Sequence, residues 1–483
     1  MRQDLQAAAN GDLSFFDLRR LPNFFAEVLM NYSLPAYGKW LITMSFIVAP
    51  ISITIQYPAQ SERAPVSTPQ AVYDSNPDHL WNRLHRALYV RTTRNGEEYG
   101  HDELDPLLWA ETKHLLVGPS HQQAIKLLDE FLSVNGAARI NDPLKRAMLQ
   151  RDLWAIFDWS ADAPPSYQRE AQELQSNLAP VIRSVALSRE QIQALPDNYA
   201  DAVRAKVFAA QYDPERRESA FLPPDLFQPD GPWVCVGARG GQPVAPSHAY
   251  AFSGRSVFLI FIRLPEGRSS TLNYLEKLQG FPVSIPGPNP NLRSPNPNLP
   301  QFPAGTQLAL VRKMVIIDNQ GDLVPTRLTE DVQIRVYRAI SKTIPEGFNF
   351  DFNAERTAQH FFEIKLSRAK LFAGHPGGLR ALARDEKEFL LFQSHGDDPF
   401  DRVKENESME RERVTTLKLC VFCHSSPGIH SMNSHSELMG AQAALIASDI
   451  NNEAKVTIGW KQTNQAKYDW RLLQRLWRAS TAR

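Results

Sequence analysis

Cysteine is scarce in this chain, with three residues in 483, too few to form a disulfide framework. Net charge is absent: 53 basic residues balance 53 acidic ones. Without a global positive field to condense on phosphate, a DNA- or RNA-binding role loses its main support. Nucleotide and hydrolase signatures are also missing. Gly237-Ala-Arg-Gly-Gly241 lacks the lysine and hydroxyl of a phosphate loop, and Ser253-Gly-Arg-Ser256 is not a nucleophile elbow. The acidic pairs Asp102-Glu103 and Asp397-Asp398 lie in polar surroundings and read as solvated. Apolar residues make up 43% and charged residues 22%, which excludes wholesale disorder, and the length suggests about three domains.

The strongest apolar run is short for an ordinary membrane span. Trp40 to Ile55 carries no charge, yet as a helix it would reach only about 24 Å against a hydrocarbon core of about 30 Å. Pro50 interrupts it. Lys39 before it, with Ala59 and Ser61 after it, fits an export segment. Its position, about forty residues into the chain, leaves two layouts: an internal start at Met30, or an uncleaved anchor. A buried strand or hairpin is the alternative that needs no membrane.

Residues 63–230 read as helical. Asn76-Pro77 opens a run with Leu80, Trp81, Leu84 and Leu88, and Ser120 precedes Ile125, Leu127, Leu128 and Phe131, with Gly136 as the stop. Asp142-Pro143 starts a third helix, with Leu144, Met148, Leu153 and Phe157, and Ser188 with Gln191 forms a capping box. Near 230 the period shortens. Trp233–Val236, Val257–Ile262, Leu308–Ile317, Val332–Val336 and Phe361–Leu366 are strand-like, with a turn at Asp318–Gly321. Pro-Asn-Pro-Asn-Leu occurs at 288–292 and 295–299, so residues 286–303 read as an extended loop. Further on come a turn at His375–Gly378, a helix over Asp385–Phe392, a strand over Val414–Phe422, a small helix near Leu438–Ile446 and a terminal helix over about 467–480. The last places Trp470, Leu473, Leu476 and Trp477 opposite Arg471, Arg475 and Arg478, the pattern of a packed amphipathic helix. Cys235, in an apolar strand, reads as a small core residue.

The remaining cysteines lie together, in Cys420-Val-Phe-Cys423-His424. Two thiols at this spacing reach the two vinyl groups of one porphyrin, and the adjacent imidazole then lies under the iron. Random placement of this composition would produce the pattern in roughly one chain in two thousand. These five residues resemble the attachment motif of a c-type cytochrome. The resemblance implies one covalent haem c, attached through Cys420 and Cys423, with His424 as proximal ligand. It also implies maturation outside the cytoplasm, in agreement with the export-like segment. Only 59 residues follow His424, unlike the small cytochromes c, so most of the haem wall must come from upstream. A motif near the C-terminus after a strand-rich region is similar in layout to the lysine-cross-linked cytochromes that oxidise hydroxylamine and to their cytochrome c-prime-beta relatives.

For the sixth position, His435 and Met439 are favoured because the covalent link keeps them close, and Met432 reaches marginally. The six residues to His430 extend only about 20 Å, barely enough to round the porphyrin edge. His360, His375, His395 and Met409 are upstream candidates, and an open sixth position is a further alternative. A zinc site from Cys420, Cys423, His430 and His435 is the rival metal reading. The expected fold is α+β: an export or anchor region at 1–62, a helical domain at 63–230, a β-rich domain at 231–368 and a haem-bearing segment at 369–483 packed on it. The expected function is electron transfer with a redox partner protein or small molecule in the periplasm or another extracytoplasmic space. The alternatives are a small-ligand haem oxidoreductase or sensor, and a zinc-clipped structural protein.

Overall fold

The computed structural model describes residues 71–479 apart from 93–95, 97, 103–112, 162, 287–292, 341–357, 390–399, 401–412, 418–420, 422–423, 425, 433–443 and 464–468. The apolar run at 40–55 and the residues Cys420, Cys423, His435 and Met439 lie outside the described set.

Apolar spacing and capping chemistry build the first layer. Helix α1 (Leu80–Tyr89) buries Leu80, Trp81, Leu84 and Leu88. It starts later than Asn76-Pro77, because the Asn76 carboxamide closes a turn on the Asp78 amide at 3.0 Å and His79 becomes the cap. Helix α2 (Gly118–Ser133) likewise begins before Ser120, whose hydroxyl donates to the carbonyl of Val117 at 3.1 Å. The chain reverses at Asn135, with φ of 51°. Gly136, read as the stop, instead lies against Phe131, whose ring would be 2.8 Å from any Cβ there. Helix α3 (Pro143–Ala161) starts where Asp142 accepts from the Leu144 amide at 2.8 Å. Helices α4 (Gln168–Ser184), α5 (Arg189–Gln193) and α6 (Asn198–Arg204) follow, and α5 carries the expected reciprocal Ser188–Gln191 box.

The strands are β1 (Arg91–Thr92), β2 (Glu98–Tyr99), β3 (Val234–Ala238), β4 (Ser256–Arg263), β5 (Ser284–Pro286), β6 (Arg293–Pro295), β7 (Gln307–Ile317), β8 (Leu323–Tyr337), β9 (Gln359–Leu366), β10 (Leu379–Ala381), β11 (Lys387–Phe389), β12 (Arg413–Thr415) and β13 (Leu445–Ala447). Seven form one antiparallel sheet in the order β10-β9-β8-β7-β4-β3-β13. The later helices are α7 (Pro246–Ala251), α8 (Arg268–Leu278), α9 (Arg368–Phe372), α10 (Ile450–Thr463) and α11 (Asp469–Ala479). The fold is α+β, as expected.

Alternation along the central strands separates two cores. Val257, Leu259 and Phe261 of β4, with Ala309 and Val311 of β7, face the helical layer and join one core with α1–α4 and α11. Ile262 and Leu308 face the other way and pack with α8, Phe302, Tyr337 and Ile429. Each fully buried aliphatic or aromatic side chain here contributes about 1.5–3 kcal/mol. Helix α11 packs as expected, burying Trp470, Leu473 and Trp477 in the first core.

Four segments differ from the expectation. The helix expected over 385–392 is strand β11 where described, paired with β12. The strand expected over 414–422 stops at Thr415, and Thr416, Leu417, Val421 and His424 have helical backbone. The described end of the helix expected over 438–446 is β13, which extends the sheet from Ala238. Within the proline-rich loop, β5 and β6 pair as a short ribbon. For β11 and β13 a partner more distant in sequence decides the conformation, overriding local propensity. Helix α10 was not anticipated.

Candidate functional site

The last residue of the C-x-x-C-H motif, His424, lies on the face of the sheet opposite the helical layer, beside a tight turn at 426–432. Glycine is required in that turn. Gly428 has φ of 55°, and a Cβ there would collide with the Gln301 carboxamide. Gln301 accepts from the Ile429 amide at 2.9 Å. Ser431, fully buried, donates to the Gly428 carbonyl at 2.8 Å and receives Arg335 of β8 at 3.1 Å. The hydroxyls of Ser431 and Tyr337 are 2.5 Å apart. Ile429 is fully buried in the second core.

This turn positions His424. The ring Nδ1 lies 2.7 Å from the Ser431 carbonyl oxygen. A carbonyl only accepts, so Nδ1 carries the proton and Nε2 carries the lone pair. That is the tautomer of a metal-ligating imidazole whose other nitrogen is held by a backbone carbonyl. From β9, Gln359 donates to the His424 carbonyl at 3.0 Å. Strands β8 and β9 thus hold the turn and the motif's last residue together.

A second histidine faces this one. His248, on α7, has its ring centroid 6.3 Å from that of His424, with the two planes 4° from parallel. Helix α7 seats on the sheet through Ala249 and Phe258, both buried, and the His248 ring lies 5.7 Å from that of Phe258. Ile260 and Leu310, directly opposed on β4 and β7, pack against this cluster and stay half-buried. Ile260 also touches the core that contains Ile429 and Met432. His248 was not among the candidates read from the sequence. It lies far upstream in a six-residue helix, and only the sheet brings it near the motif.

The other candidates separate. Cys420, Cys423, His435, Met439, His395 and Met409 lie outside the described residues. His360, on β9, has Nδ1 2.7 Å from the Tyr212 hydroxyl. Burial, with Arg338, Arg217 and Arg384 nearby, lowers its pKa to about 4. His375 is exposed. His430 is buried, neither ring nitrogen has a hydrogen-bond partner, and burial lowers its pKa. Cys235 is a buried free thiol pushed up to about 12, chiefly by burial. Among the described residues, no group of three or more His, Cys, Asp or Glu is placed to hold a metal ion, and no helix is long and apolar enough to cross a membrane. Comparison with family models, curated proteins and solved structures finds no match to the chain.

Proposed function

We propose that the chain is a c-type haem protein that transfers electrons outside the cytoplasm. The observation that carries this reading is the His424 Nδ1–Ser431 carbonyl bond of 2.7 Å, in the last residue of Cys420-Val-Phe-Cys423-His424. It supports a proximal role because it leaves the ring neutral with its lone pair on Nε2. Cys420 and Cys423 are the proposed attachment points. Each thiol adds across one vinyl group, forming an S–C bond while the thiol hydrogen goes to the neighbouring carbon, so attachment needs no oxidant. Bound haem would supply a one-electron iron couple. The chain's own residues attach it, orient His424 and surround it with apolar side chains. The partner is a redox protein or a small-molecule donor or acceptor. Residues 40–55 are the proposed export or membrane-anchoring segment.

A host with haem-maturation machinery and a pyridine haemochrome assay test the reading. Stoichiometric covalent haem is expected in the wild type, with attachment reduced or lost in Cys420→Ala and Cys423→Ala. Colourless protein would refute it. His424→Ala should keep haem that can still be attached but change its ligand field. A second reading, zinc held by Cys420, Cys423, His430 and His435, draws support from the unpartnered ring nitrogens of buried His430. It predicts the reverse: metal loss in His430→Ala and His435→Ala, and little change in His424→Ala.

A further inference from the structure

We propose that the outer end of strands β8 and β9 binds a phosphate dianion, free or as the terminal group of a small molecule. Arg338 and Arg217 hold it, with Arg384 beside them and the hydrogen-bonded pair Tyr212–His360 as its neutral donor. The site does not depend on the haem reading. Gln359, the residue before His360, reaches the His424 carbonyl on the other face of the sheet, so the sheet itself separates the two places.

Strand register sets a cation beside the histidine. Val336 of β8 pairs with His360 of β9, and the Arg338 amide donates to the Ala358 carbonyl at 2.9 Å. Alternation therefore puts Arg338, His360 and Phe362 on one face, that of the helical layer. The chain from 209 to 222 folds over this face. It is closed by the Leu222 amide, which donates to the Ala209 carbonyl at 2.8 Å. Its Tyr212 and Phe221 rings lie 6.2 and 5.5 Å from that of Phe362. The same loop carries Arg217, whose Nε donates to the Pro214 carbonyl at 3.2 Å. Arg384, from beyond β10, donates to the Arg217 carbonyl at 3.3 Å and pairs with Glu218. Three segments remote in sequence thus bring guanidinium groups to one half-buried histidine.

The pair between them has a donor to spare. His360 Nδ1 lies 2.7 Å from the Tyr212 hydroxyl. A neutral imidazole and a phenol carry one polar hydrogen each, and the bond between them uses one. Whichever tautomer forms, the other hydrogen remains for a ligand. The acidic groups of the loop are committed elsewhere. Glu218 pairs with Arg384, and Asp213, which also bears on Tyr212, lies 3.7 Å from Arg216. Among the described residues, no carboxylate pairs with Arg338 or Arg217. Planar guanidinium forks match the oxygens of a phosphate group. Burial, then Arg338, Arg217 and Arg384, lower the pKa of His360 to about 4. A bound dianion would cancel that repulsion and favour the protonated ring.

Calorimetric titration of the purified full chain with inorganic phosphate, at low ionic strength, tests the site. A Kd of about 1 mM or tighter is expected, weakened about tenfold in Arg338→Ala and in Arg217→Ala. The exposed control Arg475→Ala, on α11 at the other end of β8, should bind as wild type does. Glycerol 3-phosphate in the same titration distinguishes the sources. Tighter binding than inorganic phosphate identifies a small monoester as the ligand; equal or weaker binding identifies the free ion. A second measurement needs no arginine variant. Sulfate, which stays doubly charged as pH falls, should raise the proton affinity of His360 about tenfold in a histidine NMR titration, with the signal assigned by its loss in His360→Gln. No binding up to about 10 mM phosphate, equal weakening by Arg475→Ala, or a His360 titration that sulfate leaves unmoved would overturn the inference.

Discussion

His85 makes the protein sensitive to mild acid, and the size of the effect follows from its surroundings. The side chain is buried on α1 between Tyr73 and Tyr89, with Nδ1 3.5 Å from Asp152 Oδ2. That distance is too long for a good hydrogen bond, and neither ring nitrogen has a partner. Burial, reinforced by the neighbouring Arg368 charge and only partly offset by Asp152, lowers the pKa from 6.5 to about 4. The unfolded chain therefore binds more protons than the native one between these values, and stability rises with pH across that window. Falling from above pH 6.5 to below 4 should remove about 3 kcal/mol, most of it between pH 7.0 and 4.5. Asp152 acts in a lower window. Burial opposes its ionisation, but Arg368 and His85 outweigh that and lower its pKa from 3.8 to about 2. Its contribution is complete above pH 3.8 and is lost as pH falls through about 2, so the two effects separate. Urea unfolding of wild type and His85→Leu, followed from pH 7.0 to 4.5, measures the difference. The variant should lose about 2–3 kcal/mol less than wild type over that range. Parallel pH profiles for the two proteins would refute the reasoning.

Three further outcomes are expected. Arg368→Met leaves Asp152 buried without the guanidinium that binds it at 2.6 Å, and should cost about 3–5 kcal/mol in chemical denaturation; a loss below 1 kcal/mol would mean that the ion pair contributes little. Gly377→Ala should lower the thermal midpoint by several degrees, because φ is 70° and the new Cβ would collide with the Asn198 carbonyl. Cys235 should resist a thiol reagent at pH 8 in native protein and react fully in denaturant, since it is buried and its pKa is pushed up to about 12; rapid native labelling would contradict the burial.

Local patterns revealed some elements and concealed others. Leu80, Trp81, Leu84 and Leu88, the Ser188–Gln191 box and the alternating run 308–317 each carry their information within a few residues, and each formed as expected. Helix α3 shows what such patterns miss. Its charges suggest a solvated face, yet Arg151 is bound to Glu330 at 3.1 Å, Asp152 to Arg368 at 2.6 Å and Asp158 to Lys461 at 2.7 Å, all buried. Gln150 exchanges two 2.8 Å hydrogen bonds with the Ile317 backbone, as a strand neighbour would. A buried charge is intelligible only with its counterion, and these counterions lie far along the chain. The same reason hid His248. The C-x-x-C-H motif is local and legible; a side chain that meets it across a sheet, as the His248 ring does, is not. Strand β11 was misread because its five-residue context favours helix and only pairing with β12 makes it extended.

The support beneath His424 bears on the potential expected of the proposed haem. The ring is held by a backbone carbonyl, and the residue that supplies it is fixed by Tyr337 and Arg335 of β8 and by the Gly428 carbonyl. A carboxylate at Nδ1 would push electron density into the ring and stabilise ferric iron; a neutral carbonyl does so far less. Arg335, 3.1 Å from the Ser431 hydroxyl, adds a positive charge near the same carbonyl and acts in the same direction. In the proposed haem, both features would raise the potential relative to one held by a carboxylate-bound histidine.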